Sequence, residues 1–314
     1  MFFNGTEKRY NQFSEYLKQK FGVKVYKITL DAGFSCPNRQ DGKKGCIYCD
    51  AGGSFSQSHS ADMTIKEQLD FGAQYLTERF KAVKYMSYFQ SFSNTYKPVE
   101  ELKEIYDAAL DHKDIVGISI GTRPDCVDGE KLDLIASYKD KYETWIEYGL
   151  QSMHKKTLER INRGHDFECF LKTYEETKKR GINVCVHVIF GLWETHDEMM
   201  QTIKALADLN IDGLKLHMIC GLRGTELTEM YKRGEFEFMS EMEYVNLCCD
   251  AIELLPPTTT LHRIAGSGLK STLVEPKWIG KKFECLNKID AEFVRRDSWQ
   301  GKLYVPSGNM VSAT

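Results

Sequence analysis

The chain has 314 residues, of which 42% are apolar, and a formal net charge of −3. This length and apolar content allow one large barrel-type domain or two modest domains with a sizeable core, and the charge argues against a generic nucleic-acid binder. No apolar run approaches the roughly 20 residues of a membrane helix, and no signal-peptide stretch occurs at the N-terminus, so we expect a cytoplasmic protein with no membrane partner.

Apolar periodicity predicts helices that alternate with strands up to residue 219. The predicted strands are Val23–Leu30, Lys84–Gln90, Ile115–Ile120, Thr144–Leu150, Asn183–Ile189 and Gly213–Ile219. The predicted helices are 7–20, 63–80, 99–110, 132–138, 155–161, 167–180 and 195–209. Six strands that alternate with helices indicate βαβ units and a parallel sheet in an α/β fold.

The pattern changes after residue 224. Helices are predicted at Thr225–Arg233 and Glu241–Leu255, followed by an apolar, strand-like segment at Thr259–Ile264 and a basic, Trp-containing tail over Lys270–Lys302. We therefore expect three parts. They are an N-terminal helical extension (1–22), a central barrel (23–222) and a C-terminal helical and basic extension (223–314) that packs on the barrel.

Positive charge is concentrated in two flanking segments. Residues 1–30 contain six Lys or Arg and two Asp or Glu, and residues 270–302 contain eight and five, so the rest of the chain is acidic. Basic flanks on an acidic core could steer a polyanion toward an active face. Solvated surface charge explains the same distribution equally well.

Three cysteines, Cys36, Cys46 and Cys49, lie in a polar loop, CPNRQDGKKGCIYC, that follows the first predicted strand. Thiolates are soft ligands suited to zinc or to iron–sulfur clusters. A structural zinc site usually has four ligands. Three cysteines with an aromatic residue, Tyr48, before the last therefore indicate a cubane cluster with one iron open to a cofactor. A zinc knuckle or three unrelated thiols is the alternative interpretation.

An open iron of this kind is the arrangement of radical S-adenosylmethionine (SAM) enzymes. The spacing of nine and then two residues between the cysteines resembles that of the Elongator catalytic subunit and of a related family of bacterial Elongator-like radical SAM proteins. The resemblance implies that the cysteines hold a 4Fe-4S cluster whose free iron chelates SAM. An electron from a donor such as flavodoxin or ferredoxin would split SAM to a 5′-deoxyadenosyl radical. The implied fold is a partial (β/α)6 TIM-like barrel with a C-terminal extension.

Polar residues follow the second and third predicted strands, at the end where such a barrel has its reaction face. Gln90, Ser91 and Asn94 stand where many radical SAM enzymes have a GGE-type segment that binds the cofactor's amino group, which this sequence lacks. They could replace that segment, or they could form a polar turn that caps the next helix. Thr122 and Arg123 begin a Thr-Arg-Pro-Asp sequence similar to one in the Elongator subunit, and both are candidate site residues.

Arg123 has a guanidinium group that can bind a carboxylate or phosphate with two parallel hydrogen bonds, and Asp125 is a possible partner that would hold it. An exposed arginine at a helix cap is the alternative. The fourth strand places Glu147 and Gln151 on one face, and a carboxylate inside a barrel needs a partner, which the cofactor could provide. Arg163 and His165 follow in a segment similar to the Elongator-like family, where they could contact the cofactor or the substrate.

The fifth and sixth predicted strands carry four further candidates. His187 is either a core histidine or a cofactor contact. The resemblance implies that Gly191 packs on the adenine ring of SAM. Lys215 and His217 share one strand face, so Lys215 could bind a substrate carboxylate and His217 could transfer protons. The alternative for Lys215 is a salt bridge to Glu147.

The resemblance to the bacterial family also implies a substrate, the wobble uridine of tRNA. The implied reaction removes the carboxymethyl part of 5-carboxymethylaminomethyluridine and leaves 5-aminomethyluridine. Carboxymethyl transfer, as Elongator performs it, is less expected because the sequence contains no acetyltransferase domain. Two other hypotheses remain: a radical SAM enzyme that acts on a small molecule or peptide, and a zinc-binding or redox-sensing adaptor.

Overall fold

The computed structural model describes residues 3–53, 63–266 and 271–306. Up to residue 218 the elements alternate between helices and strands. They are α1 (Phe13–Phe21), β1 (Val25–Leu30), α2 (Ile65–Phe80), β2 (Lys84–Phe89), α3 (Val99–Leu110), β3 (Ile115–Thr122), α4 (Gly129–Ala136), β4 (Glu143–Gln151), α5 (Lys155–Arg160), α6 (Phe167–Lys179), β5 (Asn183–Phe190), α7 (His196–Asp208) and β6 (Gly213–Met218).

The C-terminal part adds three helices and three short strands to the described structure. They are β7 (Gly221–Leu222), α8 (Glu226–Lys232), α9 (Glu241–Leu254), β8 (Thr260–Arg263), β9 (Leu273–Glu275) and α10 (Lys282–Arg295). Lys270, the first residue of the predicted basic tail, lies outside the described residues. The three predicted part boundaries stay a prediction. No helix in the described residues combines the length and apolar character needed to cross a membrane.

The main sheet has seven parallel strands in the order β1-β2-β3-β4-β5-β6-β8. Each of the six predicted strands is present, with ends that differ by one or two residues. The partial barrel predicted from the sequence is therefore confirmed, and the structure extends it by a seventh strand. This seventh strand, β8, lies in the segment Thr259–Ile264, which the sequence predicted only as strand-like. It pairs in parallel with β6, and its buried Leu261 stands opposite Leu214.

Helix starts follow local capping rather than apolar periodicity. The Thr64 side chain accepts a hydrogen bond from the Glu67 backbone N–H, and the Glu67 carboxylate accepts one from the Thr64 backbone N–H, so α2 begins after Thr64. Such a capping box satisfies two backbone N–H groups that have no partner within the helix. Asp128 caps α4 in the same position, which starts that helix three residues before the predicted Leu132.

Strands buried on both faces are almost continuously apolar, and polar side chains on them mark the barrel interior. Strand β4 is buried along its whole length. The outward residues of the strands pack against the helices in one large core, which includes Ile118, Ile146 and Val186. Glu147, His187 and Lys215 are polar residues on these otherwise apolar strands, and they are buried or half-buried. These polar residues belong to the site at the barrel mouth.

Helix α1 closes the barrel at the N-terminal ends of the strands. Gln12 forms a β-bridge with Leu261 at the edge of β8. The Phe13 ring stacks on the His262 ring at a centroid distance of 3.6 Å and meets the Trp145 ring edge-on at 5.1 Å. These aromatic rings form an apolar plug, together with Leu17, Val25, Met86 and Cys185.

Replacing the plug residue, Phe13→Ala, is expected to lower the free energy of unfolding by about 3–5 kcal/mol, because it leaves a cavity among aromatic rings. The matched control is Phe283→Ala, whose side chain is 77% exposed and whose loss should change stability by about 0.5 kcal/mol or less. Denaturant-induced unfolding of both variants measures the difference. Equal, small losses for the two variants would show that α1 does not contribute to the core.

Burial also lowers the pKa of His262 to about 3. In the unfolded chain a histidine has a pKa of about 6.5, so between these values the unfolded state binds a proton that the folded state does not bind. Stability should therefore fall as the pH drops below about 6.5, with a limiting slope of about 1.4 kcal/mol per pH unit for this group.

The variant His262→Phe should lose less stability than the wild type between pH 7 and pH 5, because it removes one such group. The control His196→Gln affects an exposed histidine whose pKa is raised, mainly by the Asp250 carboxylate, so it should not reduce the acid loss. Thermal unfolding over this pH range compares the three proteins. An identical acid loss in wild type and His262→Phe would contradict the prediction.

Candidate active site at the barrel mouth

A cavity of about 450 Å³ opens at the C-terminal ends of the strands, in the size range of small-ligand sites. Parallel strands bring the loops that follow them to one edge of the sheet. The residues that line the cavity therefore come from β1 to β6, from β8 and from the loops after them. They include Lys27, Cys36, Arg39, Cys46, Tyr48, Cys49, Tyr88, Gln90, Thr122, Arg123, Glu147, Gly149, Gln151, Arg163, His187, His217, Cys220, Arg263 and Ile279.

All three cysteines of the loop after β1 line this cavity. Cys46 is buried and receives two hydrogen bonds at its sulfur, from the Asn38 amide at 3.6 Å and from the Arg163 guanidinium at 3.5 Å. Burial opposes ionisation of the Cys46 thiol, but the charges of Arg163 and Arg123 and the hydrogen bonds from Arg163 and Tyr48 together outweigh it and lower the pKa. The pKa of Cys49 is raised, chiefly by burial. In the part of the chain that the structure describes, no three His, Cys, Asp or Glu side chains converge on a single-ion site.

The segment after α5 anchors the cysteine loop. Ile47 donates its N–H to the carbonyl of Ile161 at 3.1 Å, and the Asn162 amide donates to the carbonyl of Gly45 at 2.6 Å. Asn38 in turn donates to the carbonyl of Asn162 at 2.6 Å. Neither asparagine was predicted as a site residue. Asn162 has φ +53°, a left-handed conformation that asparagine tolerates better than most residues, and that preference is a weak sequence signal.

Glu147 is fully buried at the floor of the cavity and is the centre of a polar network. Its carboxylate accepts hydrogen bonds from Lys27 at 3.0 Å, from Ser119 at 2.5 Å and from Lys215, and it lies 2.9 Å from His187 Nε2. Burial alone would raise the pKa of Glu147, but the two ammonium groups lower it well below its usual range. Burial lowers the pKa of Lys215 to about 7 against the attraction of Glu147.

Two buried polar atoms at the cavity have no hydrogen-bond partner among the described residues. They are His217 Nε2 and Gln151 Oε1. Gln151 also has φ +79°, in the left-handed region, and follows a bulge in β4. Strained residues and buried polar atoms without partners are concentrated at ligand sites, where a bound molecule satisfies them. These unpartnered polar atoms therefore fit a polar ligand held beside the cysteines.

Several predicted site residues lie at the cavity wall. Those residues are Tyr48, Gln90, Thr122, Arg123, Glu147, Gln151, Arg163, His187 and His217, with the three cysteines. His165 stands just behind, with its Nε2 3.2 Å from the carbonyl of Gly149, and burial lowers its pKa to about 3. The structure thus brings these separated sequence segments to one site, while the role of each residue stays a prediction.

Four predicted residues do not line the cavity. Lys215 lies beneath the floor, where it pairs with Glu147 and donates to the Tyr88 hydroxyl at 2.8 Å, so the alternative salt bridge is the one observed. The Asn94 amide donates to the carbonyl of Gly121 at 2.6 Å and ties the loop after β2 to β3. Ser91 is buried beside this loop. At Gly191, with φ +91°, an added Cβ would lie 2.9 Å from the Ile219 side chain, so the left-handed backbone and the close packing of Ile219 both favour glycine.

Arg123 forms the predicted pair with Asp125. Its Nε and one terminal nitrogen donate to the two carboxylate oxygens at 2.8 and 2.6 Å, and the other terminal nitrogen donates to the carbonyl of Arg163 at 2.8 Å. The guanidinium plane is therefore engaged by the protein itself. Arg123 holds Arg163 in place, and Arg163 contacts the Cys46 sulfur. Arg123 therefore supports the cysteine loop through Arg163.

The basic flanks are extensively paired with nearby carboxylates. Lys20 binds Glu143 at the start of β4, at the end of the barrel opposite the cavity. Lys8 pairs with Asp290, and Lys288 pairs with Glu241. The flanks therefore do not form a bare positive surface at the cavity. Lys43 and Lys44, in the cysteine loop itself, and Arg223, directly after β7, are exposed basic residues on segments that reach this mouth.

Comparisons with known proteins agree with this fold and site. Residues 35–206 match the model of the radical SAM superfamily, and residues 211–295 match that of the radical SAM C-terminal domain. The uncharacterized protein YtqA of Bacillus subtilis (strain 168) is 41% identical over 306 residues, which cover 96% of this chain and 95% of that protein.

More distant relatives share only part of the chain. Elongator complex protein 3 of Saccharomyces cerevisiae is 31% identical over 153 residues, 48% of this chain and 27% of that protein. The tRNA uridine(34) acetyltransferase of Methanocaldococcus infernus is 30% identical over 172 residues, 54% of this chain and 31% of that protein. The structure of the archaeal Methanocaldococcus infernus Elp3 has the same fold, with a TM-score of 0.62 at 21% identity over 74% of this chain and 59% of that chain. The chain is therefore an enzyme of the radical SAM superfamily and belongs to its Elongator-like family.

Proposed function

We propose that this radical SAM enzyme remodels the C5 side chain of the tRNA wobble uridine, by converting 5-carboxymethylaminomethyluridine to 5-aminomethyluridine. The observation that carries the proposal is a single cavity that joins three cysteines to polar atoms with unused hydrogen-bonding capacity. The substrate class is supported by the partial relatives, whose names include a tRNA uridine(34) acetyltransferase and Elongator complex protein 3.

Membership of the radical SAM superfamily implies a 4Fe-4S cluster and SAM as cofactors. We assign the cluster to Cys36, Cys46 and Cys49, because they share one cavity wall and because Asn38 and Arg163 already donate hydrogen bonds to a sulfur. When bound, the two cofactors supply a carbon radical that can abstract a hydrogen atom from the substrate. The carboxymethyl carbon beside the nitrogen is the proposed position. Loss of a hydrogen atom there to the radical, and of one further electron to the oxidised cluster, would give an iminium, and its hydrolysis by water would release the carboxymethyl part as glyoxylate and leave the amine.

This chain's own residues bind and orient the reactants. Gln90, Thr122 and Gln151, at the ends of β2, β3 and β4, are the proposed contacts of SAM, and Tyr48 lies beside the Cys46 sulfur. The Glu147 network keeps the cavity floor rigid because its carboxylate already has several fixed partners. Fixed polar groups in a buried site orient reactants without having to reorganise during the reaction.

Contact with tRNA would involve phosphate groups around the cavity mouth. Exposed Lys43, Lys44 and Arg223 are the proposed contacts, in place of the paired flanking segments. Phosphate contacts make nucleic-acid binding sensitive to salt, so the affinity for tRNA should fall as the salt concentration rises. Cytoplasmic location and an electron donor of the flavodoxin or ferredoxin type belong to the same proposal.

Replacement of Cys36, Cys46 or Cys49 by alanine should abolish most iron binding and the visible absorbance of the cluster. Each variant leaves only two of the three thiolates that are proposed to hold the cubane. The control is Cys248→Ala, which changes a thiol buried in α9 away from the cavity. Anaerobic reconstitution followed by iron and sulfide analysis measures the result. Bound zinc without iron in the wild type would support the adaptor hypothesis instead.

The substrate is tested with purified, reconstituted protein, SAM, a reducing system and tRNA that carries 5-carboxymethylaminomethyluridine. Nucleoside analysis by mass spectrometry should show 5-aminomethyluridine with the wild type and none with Cys46→Ala. Cells that lack the gene should retain the carboxymethylated nucleoside. Cleavage of SAM with no change in any tRNA nucleoside would contradict the tRNA substrate and favour a small molecule or peptide.

A further inference from the structure

Most basic residues that line the cavity already have a carboxylate or carbonyl partner within the protein. Lys27 binds Glu147, Arg123 binds Asp125, and Arg163 donates to the carbonyl of Gly149. Arg39 donates to the carbonyls of Cys49 and Asp50. These groups are held in place by the fold, so their remaining capacity for a further anion is limited.

Arg263 is the exception. It lines the same cavity and is half-buried, yet within residues 3–53, 63–266 and 271–306 no carboxylate lies within ion-pair distance of its guanidinium and no hydrogen bond to it is formed. The register between β6 and β8 shifts after Leu214, and this bulge pairs Arg263 with Lys215. Bulges next to active sites re-aim side chains, and here the bulge places an arginine at the cavity.

The Glu147 carboxylate lines the same cavity as Arg263, but it is already paired with Lys27 and Lys215. The charge of Arg263 adds to burial in lowering the pKa values of His187, His217 and Lys282. Two cations, Arg263 and Lys282, therefore influence each other, and neither forms an ion pair within the described chain. Like charges in a partly buried site are unfavourable, so the site is poised to accept an anion.

We propose that Arg263 binds the carboxylate of the substrate's carboxymethylaminomethyl side chain. This inference rests on the proposed function and deepens it. Arg123 and Lys215, the two residues that the sequence suggests for this task, are already paired with Asp125 and Glu147. A guanidinium group can hold a carboxylate with two parallel hydrogen bonds, which fixes its orientation as well as its position.

The carboxylate of SAM is a second possible source of the same anion. The arginines beside the cysteines are Arg39, Arg123 and Arg163, which interact with the sulfur atoms. Arg263 instead lies with His187 and His217, on the side formed by β5, β6 and β8. This separation from the proposed cluster assigns Arg263 to the substrate rather than to SAM.

The experiment measures binding to two anticodon stem-loops, which carry 5-carboxymethylaminomethyluridine or 5-aminomethyluridine and differ by the carboxymethyl group. The cluster-loaded wild type with SAM should bind the first about 10- to 100-fold more tightly, the usual range for a hydrogen-bonded carboxylate. Arg263→Met should remove this preference, and Arg263→Lys should keep part of it. Arg233→Met is the charge-matched control and should keep all of it, because Arg233 is an exposed arginine directly after α8 that pairs with Glu226 and Glu235 and does not line the cavity.

SAM affinity is measured in parallel on the same proteins. A weakened SAM affinity in Arg263→Met with an unchanged stem-loop preference would overturn the proposal and assign Arg263 to SAM. A wild type without preference between the stem-loops would also overturn it. A wild type that prefers the carboxylate but converts neither stem-loop would leave the anion site in place and reject the proposed reaction. Thermal unfolding of each variant confirms that it is folded.

Discussion

One buried carboxylate holds the barrel interior together. Glu147 on β4 connects side chains that belong to all six of the first parallel strands. The partners are Lys27 on β1, Ser119 on β3, His187 on β5 and Lys215 on β6, and Lys215 in turn reaches Tyr88 on β2. Breaking a buried ion pair by removal of one partner typically costs about 3–5 kcal/mol, because a charge is left uncompensated. A network of this kind penalises any other curvature or register of the sheet.

The network also divides the barrel into two layers with different roles. Below it, Phe13, Trp145 and His262 fill the interior with stacked rings, and α1 closes that end. Above it, the strands end in loops that surround a polar cavity. Within the described residues, a closed apolar base and a polar floor leave the cavity open at the C-terminal ends of the strands. This layering resembles the filled interior and loop-built site of complete (β/α)8 barrels.

The cysteine loop depends on contacts that are remote in sequence. Its position is set by the segment 161–163, which follows β4 and donates or accepts hydrogen bonds along the loop. Arg123 then fixes Arg163, and Asp125 fixes Arg123. The chain of contacts runs from β3 through the segment after α5 to the sulfur of Cys46. It explains why a Thr-Arg-Pro-Asp sequence far from the cysteines belongs to the same site.

The sequence alone determined three features of this protein. They are the three cysteines with their spacing, the six strands with their inward polar residues, and the resemblance to a family. These features are local, because ligand spacing and the two-residue period of a strand are written in neighbouring residues. For Lys215 and Arg263, the tertiary structure alone decided whether the cation is neutralised. The sequence leaves Lys215 with two alternatives, a substrate carboxylate or Glu147, and Arg263 lies in a segment predicted only as strand-like. Sheet curvature pairs Lys215 on β6 with Glu147 on β4, and the bulge in register leaves Arg263 at the cavity, since these contacts join residues that are distant along the chain. The pair of Arg123 with Asp125 is local and follows from the sequence.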